Sequence, residues 1–375
     1  MRFFMNKKII LLAFILNISF ANTLNLHSSR HNAITKAIEK VSPAVVGINV
    51  TQIKQQAAHP FFDPFFSPFS DPFFEDFFRP KMRKYKVKNL GSGVIISSDG
   101  YIITNSHVIE NADEIIVSMS EGKTYNAKII GSDDLTDIAL IKIDEVNLPN
   151  VQFGDSDNLI IGEWVIALGN PLGLFDISNK PTATVGILSG KGMDFGQKES
   201  GRVYQDMLQT DASINSGNSG GPLVNSDGNV IGINTFIMTN SNYTSGSIGI
   251  GFAIPINRVI EISNILKSNG EIDRSFATGI HVQPLDESMK NFLDIKDDIG
   301  VIINDIEIGS SGEKSGLKIG DVILTIDDVG IKSIDDILKV IEEGLYKAND
   351  IVILKVLRNK LELIFELELA SAKKR

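Results

Sequence analysis

The sequence predicts a mostly β protein, in which a larger β-rich domain precedes a smaller α+β domain. Between residues 89 and 256, short runs of β-branched residues are punctuated by Gly, Asn and Asp, and no helical period is sustained. This pattern is typical of an all-β sandwich or barrel. Beyond residue 270, four strand-like runs surround a single amphipathic helix, which indicates a small α+β domain.

Composition narrows the class of protein. The chain has 375 residues, of which 43% are hydrophobic and 22% charged, so disorder, a polytopic membrane protein and a collagen-like fibre are excluded. It contains no cysteine, which excludes disulfides, thiolate metal sites and a cysteine nucleophile. The formal net charge of −10 argues against nucleic acid as a partner. We expect no metal, no other cofactor and no ATP site.

The first 21 residues resemble a secretory signal peptide. A basic start, MRFFMNKK, precedes the apolar stretch IILLAFILNISF, and Ser19-Phe20-Ala21 matches a small-x-small cleavage site. The apolar stretch is shorter than the roughly 20 residues that span a bilayer. We therefore expect residues 1–21 to be removed on export, with an uncleaved membrane anchor as the alternative.

An amphipathic helix over residues 32–41 is expected next, closed by Ser42-Pro43 and followed by a strand over residues 44–53. Residues 60–80 then contain nine of the 21 Phe residues, with Pro at roughly every fourth position. Proline blocks both a helix interior and a central strand, so this segment is predicted to be a long inserted loop. We expect it to be buried between subunits, because so many exposed Phe residues would promote aggregation of a monomer. The alternative is a sticky disordered insertion.

Two hairpins can be read within the β-rich region. Residues 93–105 contain two apolar runs around a turn at Asp99-Gly100, and residues 222–234 contain two more around Asp227-Gly228. Asp-Gly between apolar runs is a strong hairpin signal.

A helix after Pro255 is predicted to end at Asn269-Gly270, which is the expected domain boundary. In the second domain, Ser333 and Asp336 form a predicted capping box for a helix over residues 333–343. Its spacing predicts a buried stripe made of Ile334, Ile337, Leu338 and Ile341.

The segment GNSGGP, residues 217–222, carries the strongest chemical signal. A Ser flanked by glycines can expose its hydroxyl, while the glycines allow positive φ angles that direct backbone amides to one point. Ser219 is thus a candidate nucleophile, and it needs a base. Of the five histidines, only His107 lies inside the β-rich region, at the end of the strand YIITN. It is the candidate general base.

A carboxylate is needed to orient the histidine. Three aspartates are available in DDLTDIALIKI, and we choose Asp137 over Asp133 and Asp134 because it directly precedes an alternating strand. The chain order His, Asp, Ser is that of the chymotrypsin group, and differs from that of subtilisin or the α/β-hydrolases.

The succession TNSHVI, LTDIALIKI, GNPLG, QTDASINSGNSGGPL and IGIGFAIP resembles the HtrA (Do, DegP/DegQ-like) family of trypsin-like serine proteases. The resemblance covers residues 33–369. It implies a chymotrypsin-like double six-stranded β-barrel over residues 32–270, with a regulatory loop at 60–80. A PDZ domain would follow over 271–370, with a tail at 371–375.

The resemblance also implies site residues. The catalytic residues would be His107, Asp137 and Ser219, and the amides of Gly217 and Ser219 would form the oxyanion hole. The substrate pocket would be formed by Ser213, Ile214, Asn234, Thr235, Phe236 and Ile237. The PDZ peptide-binding residues would be Phe276, Thr278, Gly279 and Ile280.

Two positions depart from the digestive proteases. Asn218 replaces the aspartate that pairs with a newly formed N-terminus, so we expect activation by loop rearrangement instead of zymogen cleavage. Ser213 stands where trypsins select Lys or Arg with an aspartate, so we expect cleavage after small or branched apolar residues.

The leading hypothesis is an exported, ATP-independent serine endopeptidase of the periplasm that degrades unfolded or misfolded envelope proteins. By the resemblance, it would bind peptide C-termini through its PDZ domain and assemble as a homotrimer or higher oligomer. Chaperone activity would be a second function. One alternative is a holdase with a degenerate protease core. Another is an inner-membrane-anchored regulatory protease that retains residues 1–21.

Overall fold

The structure is a computed structural model and describes residues 30–57, 82–170, 180–198, 200–237, 247–293, 295 and 300–372. The predicted signal segment and the Phe/Pro segment at 60–80 lie outside these ranges. The described chain divides into two compact units. The first is drawn from residues 1–132, 138–193 and 206–267, and the second from residues 133–137, 194–205 and 268–375.

The first unit contains a closed barrel of six antiparallel strands in the order β1-β2-β3-β6-β5-β4. Its strands are β1 Val45–Ala57, β2 Met82–Ile95, β3 Tyr101–Thr104, β4 Glu114–Ser118, β5 Thr124–Asp133 and β6 Ile138–Ile143. β2 pairs with β3 so that Val94 lies opposite Ile103, which confirms the hairpin predicted at Asp99-Gly100. The interior is filled by side chains that alternate along the strands, among them the fully buried Ile48 and Ile102.

A second closed barrel follows in the order β11-β14-β13-β12-β7-β8. Its strands are β7 Trp164–Gly169, β8 Thr182–Met193, β11 Met207–Thr210, β12 Pro222–Asn225, β13 Val230–Ile237 and β14 Gly251–Pro255. β12 pairs with β13, with Pro222 opposite Ile233, so the second predicted hairpin is also confirmed. Two closed six-stranded barrels confirm the predicted fold class of this region.

Three α-helices accompany the barrels within the described residues. Helix α1, Ala33–Val41, begins at Asn32, whose side chain accepts a hydrogen bond from the Thr35 amide. Helix α2 is one turn, Ser106–Ile109, and helix α3 spans Ile256–Asn269. The buried residues of α3 include those predicted, Val259, Ile262 and Leu266. In the part of the chain that the structure describes, no helix is long and apolar enough to cross a membrane.

The second unit consists of an α+β domain and a short hairpin from an earlier part of the chain. The hairpin consists of β9 Gly196–Gln197 and β10 Val203–Tyr204. The main sheet has the order β16-β17-β18-β20-β21, with β19 paired to β18, and β15 pairs with β22. Its strands are β15 Phe276–Ala277, β16 Ile280–Pro284, β17 Val301–Ile306, β18 Val322–Ile326, β19 Val329–Gly330, β20 Ile351–Arg358, β21 Leu361–Glu368 and β22 Ala370–Ser371. Its helices are α4 Glu287–Leu293, α5 Ser311–Lys314 and α6 Ile334–Glu343.

Helix α6 has the predicted capping box, because the Ser333 side chain and the Asp336 side chain each accept the other's backbone amide. The predicted buried stripe is wrong at two positions, since Leu338 is 51% and Ile341 is 41% exposed. Val340 is the residue of α6 that is buried in the core. Ile341 borders a cavity instead of packing against the sheet, whereas Leu338 does not line that cavity and lies on the exposed side of the helix.

Candidate active site

His107 lies in the one-turn helix α2, directly after the end of β3. Its neighbours Val108 and Ile109 are 4% and 3% exposed, whereas His107 itself is half-buried. The two apolar residues therefore anchor the turn in the core, while the imidazole remains accessible at the edge of the barrel.

Asp137 is fully buried, directly before β6, and its backbone has a φ of 60°. The Tyr204 hydroxyl donates to Asp137 Oδ2 at 3.1 Å, and Arg202 Nε lies 3.2 Å from Oδ1. Since a buried carboxylate is costly unless it is paired and hydrogen-bonded, these two side chains stabilise its charge. No local pattern in the sequence singles out Arg202 or Tyr204.

Ser219 lies in the turn between β11 and β12. Gly217 and Gly220 have φ angles of 95° and 84°, the left-handed region that glycine adopts without strain. A Cβ on Gly220 would lie 2.2 Å from Ser92 O, so the turn requires glycine there. Ser219 is half-buried, and its Oγ donates to the backbone oxygen of Thr235 at 2.8 Å. The nucleophile candidate is thus accessible and its proton is directed at a strand carbonyl.

Ser92, on β2, is a residue that the sequence analysis missed. It is fully buried, its Oγ donates to Gly217 O at 2.6 Å, and its backbone amide donates to Ser219 O at 2.9 Å. The first barrel therefore holds the turn of the second barrel that carries Ser219.

The residues predicted for the substrate pocket have different environments. Ser213 is exposed, whereas Ile214 and Thr235 are buried. The Asn234 amide nitrogen donates to Pro222 O at 3.1 Å, so this side chain bonds within the barrel. Phe236 and Ile237 belong to β13, but their side chains are outside the described part of the structure.

Asn218, the residue before the nucleophile, is 2% exposed. Its backbone amide donates to Asn215 O at 2.9 Å. Among the described residues, its side-chain Oδ1 has no hydrogen-bond partner.

The second unit has an apolar cavity of about 180 Å³ beside α6. Three of the four residues predicted to bind a peptide line it, and Gly279 lies between two of them. The lining includes Phe276, Thr278, Ile280, Val282, Ile337, Val340, Ile341 and Tyr346. Burial, together with a hydrogen bond to Asp327, raises the pKa of the Tyr346 hydroxyl above its usual value. Tyr346 therefore remains a protonated donor to Asp327.

Two known domain families match this chain. The family described as "Trypsin-like peptidase domain" matches residues 91–233, and "PDZ domain" matches residues 277–369. These matches agree with the barrels and with the α+β domain described above.

Relatives along most of the chain are named "Probable periplasmic serine endoprotease DegP-like". That of Pseudomonas putida (strain W619) is 39% identical over 335 residues, which cover 87% of this chain and 67% of the relative. That of Chlamydia muridarum is 43% identical over 268 residues, which cover 72% of this chain and 51% of the relative.

Solved structures are similar over the same extent. "HtrA-type protease AlgW with decapeptide" is 34% identical with a TM-score of 0.60, and the match covers 90% of this chain and 98% of that one. The serine endoprotease from Yersinia pestis is 29% identical with a TM-score of 0.54, over 90% of this chain and 98% of that one.

Two six-stranded barrels, a glycine-flanked serine turn and a PDZ domain define a trypsin-like serine endopeptidase that binds peptide substrates. Within this class, the similarity of most of the chain to named relatives and solved structures identifies the family. The chain belongs to the HtrA-type, DegP-like family of serine endoproteases, which confirms the resemblance read from its motifs.

Proposed function

We propose that the protein degrades unfolded and misfolded envelope proteins by a Ser-His-Asp acyl-enzyme mechanism that needs no ATP. The observation that carries this proposal is the turn at residues 217–220, in which two glycines at positive φ present a half-buried Ser219. Such a turn can provide both a nucleophile and amides for the developing oxyanion.

In this mechanism, Ser219 Oγ attacks the scissile carbonyl while His107 takes its proton. His107 then gives this proton to the leaving amine, and water hydrolyses the acyl ester. Asp137 orients the imidazole and stabilises its protonated form. Topology supports this set: β3 and β6 are antiparallel neighbours with Thr104 opposite Ala139, so the chain leaves β3 toward His107 and enters β6 from Asp137 at the same end.

The oxyanion hole is assigned to the amides of Gly217 and Ser219. Before attack, the Ser219 hydroxyl must turn from Thr235 O toward its base, because a proton held by a carbonyl is not available to an imidazole. We assign this geometry to a resting enzyme. Asn218 cannot form the ion pair that follows zymogen cleavage, so activation proceeds by rearrangement of the loops around the site.

Ser219→Ala tests the proposal. In the described part of the structure the hydroxyl donates to the Thr235 carbonyl and is half-buried. We therefore expect the variant to fold, to cleave no unfolded substrate protein and to resist labelling by an organophosphonate. The wild type should be labelled at Ser219. Cleavage of an unfolded substrate by Ser219→Ala would overturn the proposal, and unlabelled, inactive wild type would favour a holdase.

For the substrate side chain, the pocket is assigned to Ser213, Ile214, Asn234, Thr235, Phe236 and Ile237. An uncharged Ser213 beside a buried Ile214 offers no partner for a basic side chain. Cleavage after small or branched apolar residues is therefore expected.

The peptide groove is assigned to the cavity between β16 and α6. β16 is at the edge of its sheet, so an extended peptide can be added to it as a further strand. The apolar lining suits an apolar C-terminal side chain. The segment Phe276, Thr278, Gly279 and Ile280 is assigned to the peptide terminus.

The cellular setting is part of the proposal. The relatives are named periplasmic, and residues 1–21 have the composition of a signal peptide. We therefore assign the mature protein to the periplasm as a homotrimer or higher oligomer. Its domain limits are 32–270 for the protease and 271–370 for the PDZ domain.

A further inference from the structure

Ser92 contacts the nucleophile turn through both its backbone and its side chain. Its amide donates to Ser219 O at 2.9 Å, and its hydroxyl donates to Gly217 O at 2.6 Å. The same hydroxyl accepts the Asn170 amide at 2.7 Å. Because the hydroxyl donates and accepts at once in a fully buried position, its orientation is determined.

These contacts fix the two peptide groups, 217–218 and 219–220, that lie on either side of the one carrying the Ser219 amide. The carbonyl of Gly217 is held by Ser92, and the amide of the same peptide group, that of Asn218, donates to Asn215 O at 2.9 Å. The carbonyl of Ser219 is held by Ser92, and the amide of Gly220 donates to Asn234 O at 2.8 Å. Both planes that flank the Ser219 amide are therefore held at each end.

Glycine makes this restraint necessary. Gly217 has a φ of 95°. Because glycine has no Cβ, the adjacent peptide groups can rotate about its backbone more freely than about any other residue. A hydrogen bond from a buried hydroxyl supplies the restraint that the residue lacks. An oxyanion hole stabilises the transition state only if its amides point where the oxyanion forms.

Ser92 is also connected to the strand that leads to His107. Thr104, the last residue of β3, donates its hydroxyl to Ser92 O at 2.7 Å. One residue thus connects the end of β3, the start of the segment after β7 at Asn170, and the turn that carries Ser219.

We propose that Ser92 is a positioning residue for catalysis: its hydroxyl holds the Gly217 carbonyl so that the amides of the nucleophile turn point at the oxyanion. This inference rests on the proposed role of Ser219. The role predicts a loss in the chemical step and not in substrate binding, because Ser92 is fully buried and cannot touch substrate.

The test is Ser92→Ala, with kcat and KM measured on a peptide substrate. We expect kcat to fall about 10–100-fold with KM changed by less than about twofold, and labelling by an organophosphonate to slow in parallel. The control is Ser118→Ala in β4, which removes another buried serine hydroxyl, the acceptor of Asn49 Nδ2 at 3.1 Å. We expect wild-type kcat in this control.

Wild-type kcat in Ser92→Ala, or an equal loss in Ser118→Ala, would overturn the proposal. If Ser92→Ala does not fold, Ser92→Cys has nearly the same shape and a weaker donor, and a folded Cys variant with wild-type kcat would likewise refute it. Ser219→Ala separates the two hypotheses. If Ser219→Ala is inactive while Ser92→Ala is fully active, only the positioning role fails; if Ser219→Ala still cleaves, the proposed function itself fails.

Discussion

Asp137 illustrates how much of a site depends on residues that no motif contains. Its carboxylate is fully buried, and Arg202 and Tyr204 approach its two oxygens from the segment before β11. The negative charge of Asp137 is thus stabilised by a cation and a hydroxyl that lie far from it along the chain. Motifs could indicate the aspartate, but its partners follow only from the path of residues 194–205.

Tyr204→Phe should lower kcat and leave KM unchanged. The change removes the hydroxyl that donates to Asp137 Oδ2, and a hydrogen bond to a charged group contributes about 1.5–3 kcal/mol, so a loss of about tenfold or more is expected. Tyr125→Phe is the control, because its hydroxyl bonds the surface carboxylate of Glu145. Initial rates over a range of peptide concentrations give kcat and KM for both variants, and equal kcat in the two variants would contradict the role given to Tyr204.

Gly220→Ala should prevent the native turn from forming. The new Cβ would lie 2.2 Å from Ser92 O at a φ of 84°, which combines a clash with backbone strain. Gly162→Ala has the same strain, at a φ of 96°, but nothing within 4 Å of the new Cβ. Urea unfolding should give a loss of about 1 kcal/mol for Gly162→Ala and a much larger loss for Gly220→Ala. Similar losses would argue against the close packing of the turn.

At the scale of elements, helix α6 shows how a tertiary contact modifies a periodic pattern. Its start was predicted correctly, because a capping box is local in sequence. Its buried face was predicted wrongly, because apolar residues that line a groove and apolar residues that fill a core have the same spacing. Ile341 lines the cavity, whereas Leu338 faces away from the core and does not line the cavity.

Ile341→Lys should therefore abolish binding of a peptide with an apolar C-terminus, because a charged side chain would enter an apolar cavity. Leu338→Lys is the matched control on the same helix, since Leu338 is exposed and outside the cavity. Calorimetric titration of the full chain with such a peptide measures both. Unchanged affinity in Ile341→Lys would place the peptide elsewhere.

At the scale of the whole molecule, a partly buried ion pair links segments of the second unit that lie far apart in the sequence. Arg274 Nη2 lies 2.7 Å from Asp133 Oδ2, and Arg274 Nη1 donates to the carbonyls of Leu345 and Tyr346 at 2.6 and 3.1 Å. The guanidinium thus connects residues 133–137 with the loop after α6, within one compact unit. Because the chain has no cysteine, non-covalent contacts such as these must link distant segments that disulfides link in other proteins.

Arg274→Gln should destabilise the protein by on the order of 3 kcal/mol, because it leaves the Asp133 carboxylate, 8% exposed, without its cation. Lys128→Gln is the control, since it breaks the pair with Asp144, in which both side chains are about 75% exposed. It should leave the free energy of unfolding nearly unchanged, because a solvent-exposed ion pair contributes little. Urea unfolding followed by circular dichroism compares them. A loss in Arg274→Gln no greater than in the control would show that the pair is not needed.

The sequence by itself determined the mostly β fold class, both Asp-Gly hairpins, the helices α1 and α3, and the chain order His107, Asp137, Ser219. Each of these depends on neighbours in sequence or on a strand period, and so leaves a readable pattern. Only the tertiary structure decided the closure of both barrels, the cavity beside α6, and the hydrogen bonds of Ser92, Arg202 and Tyr204. These contacts join residues far apart along the chain, and a hydrogen bond between distant residues imposes no periodicity on either segment.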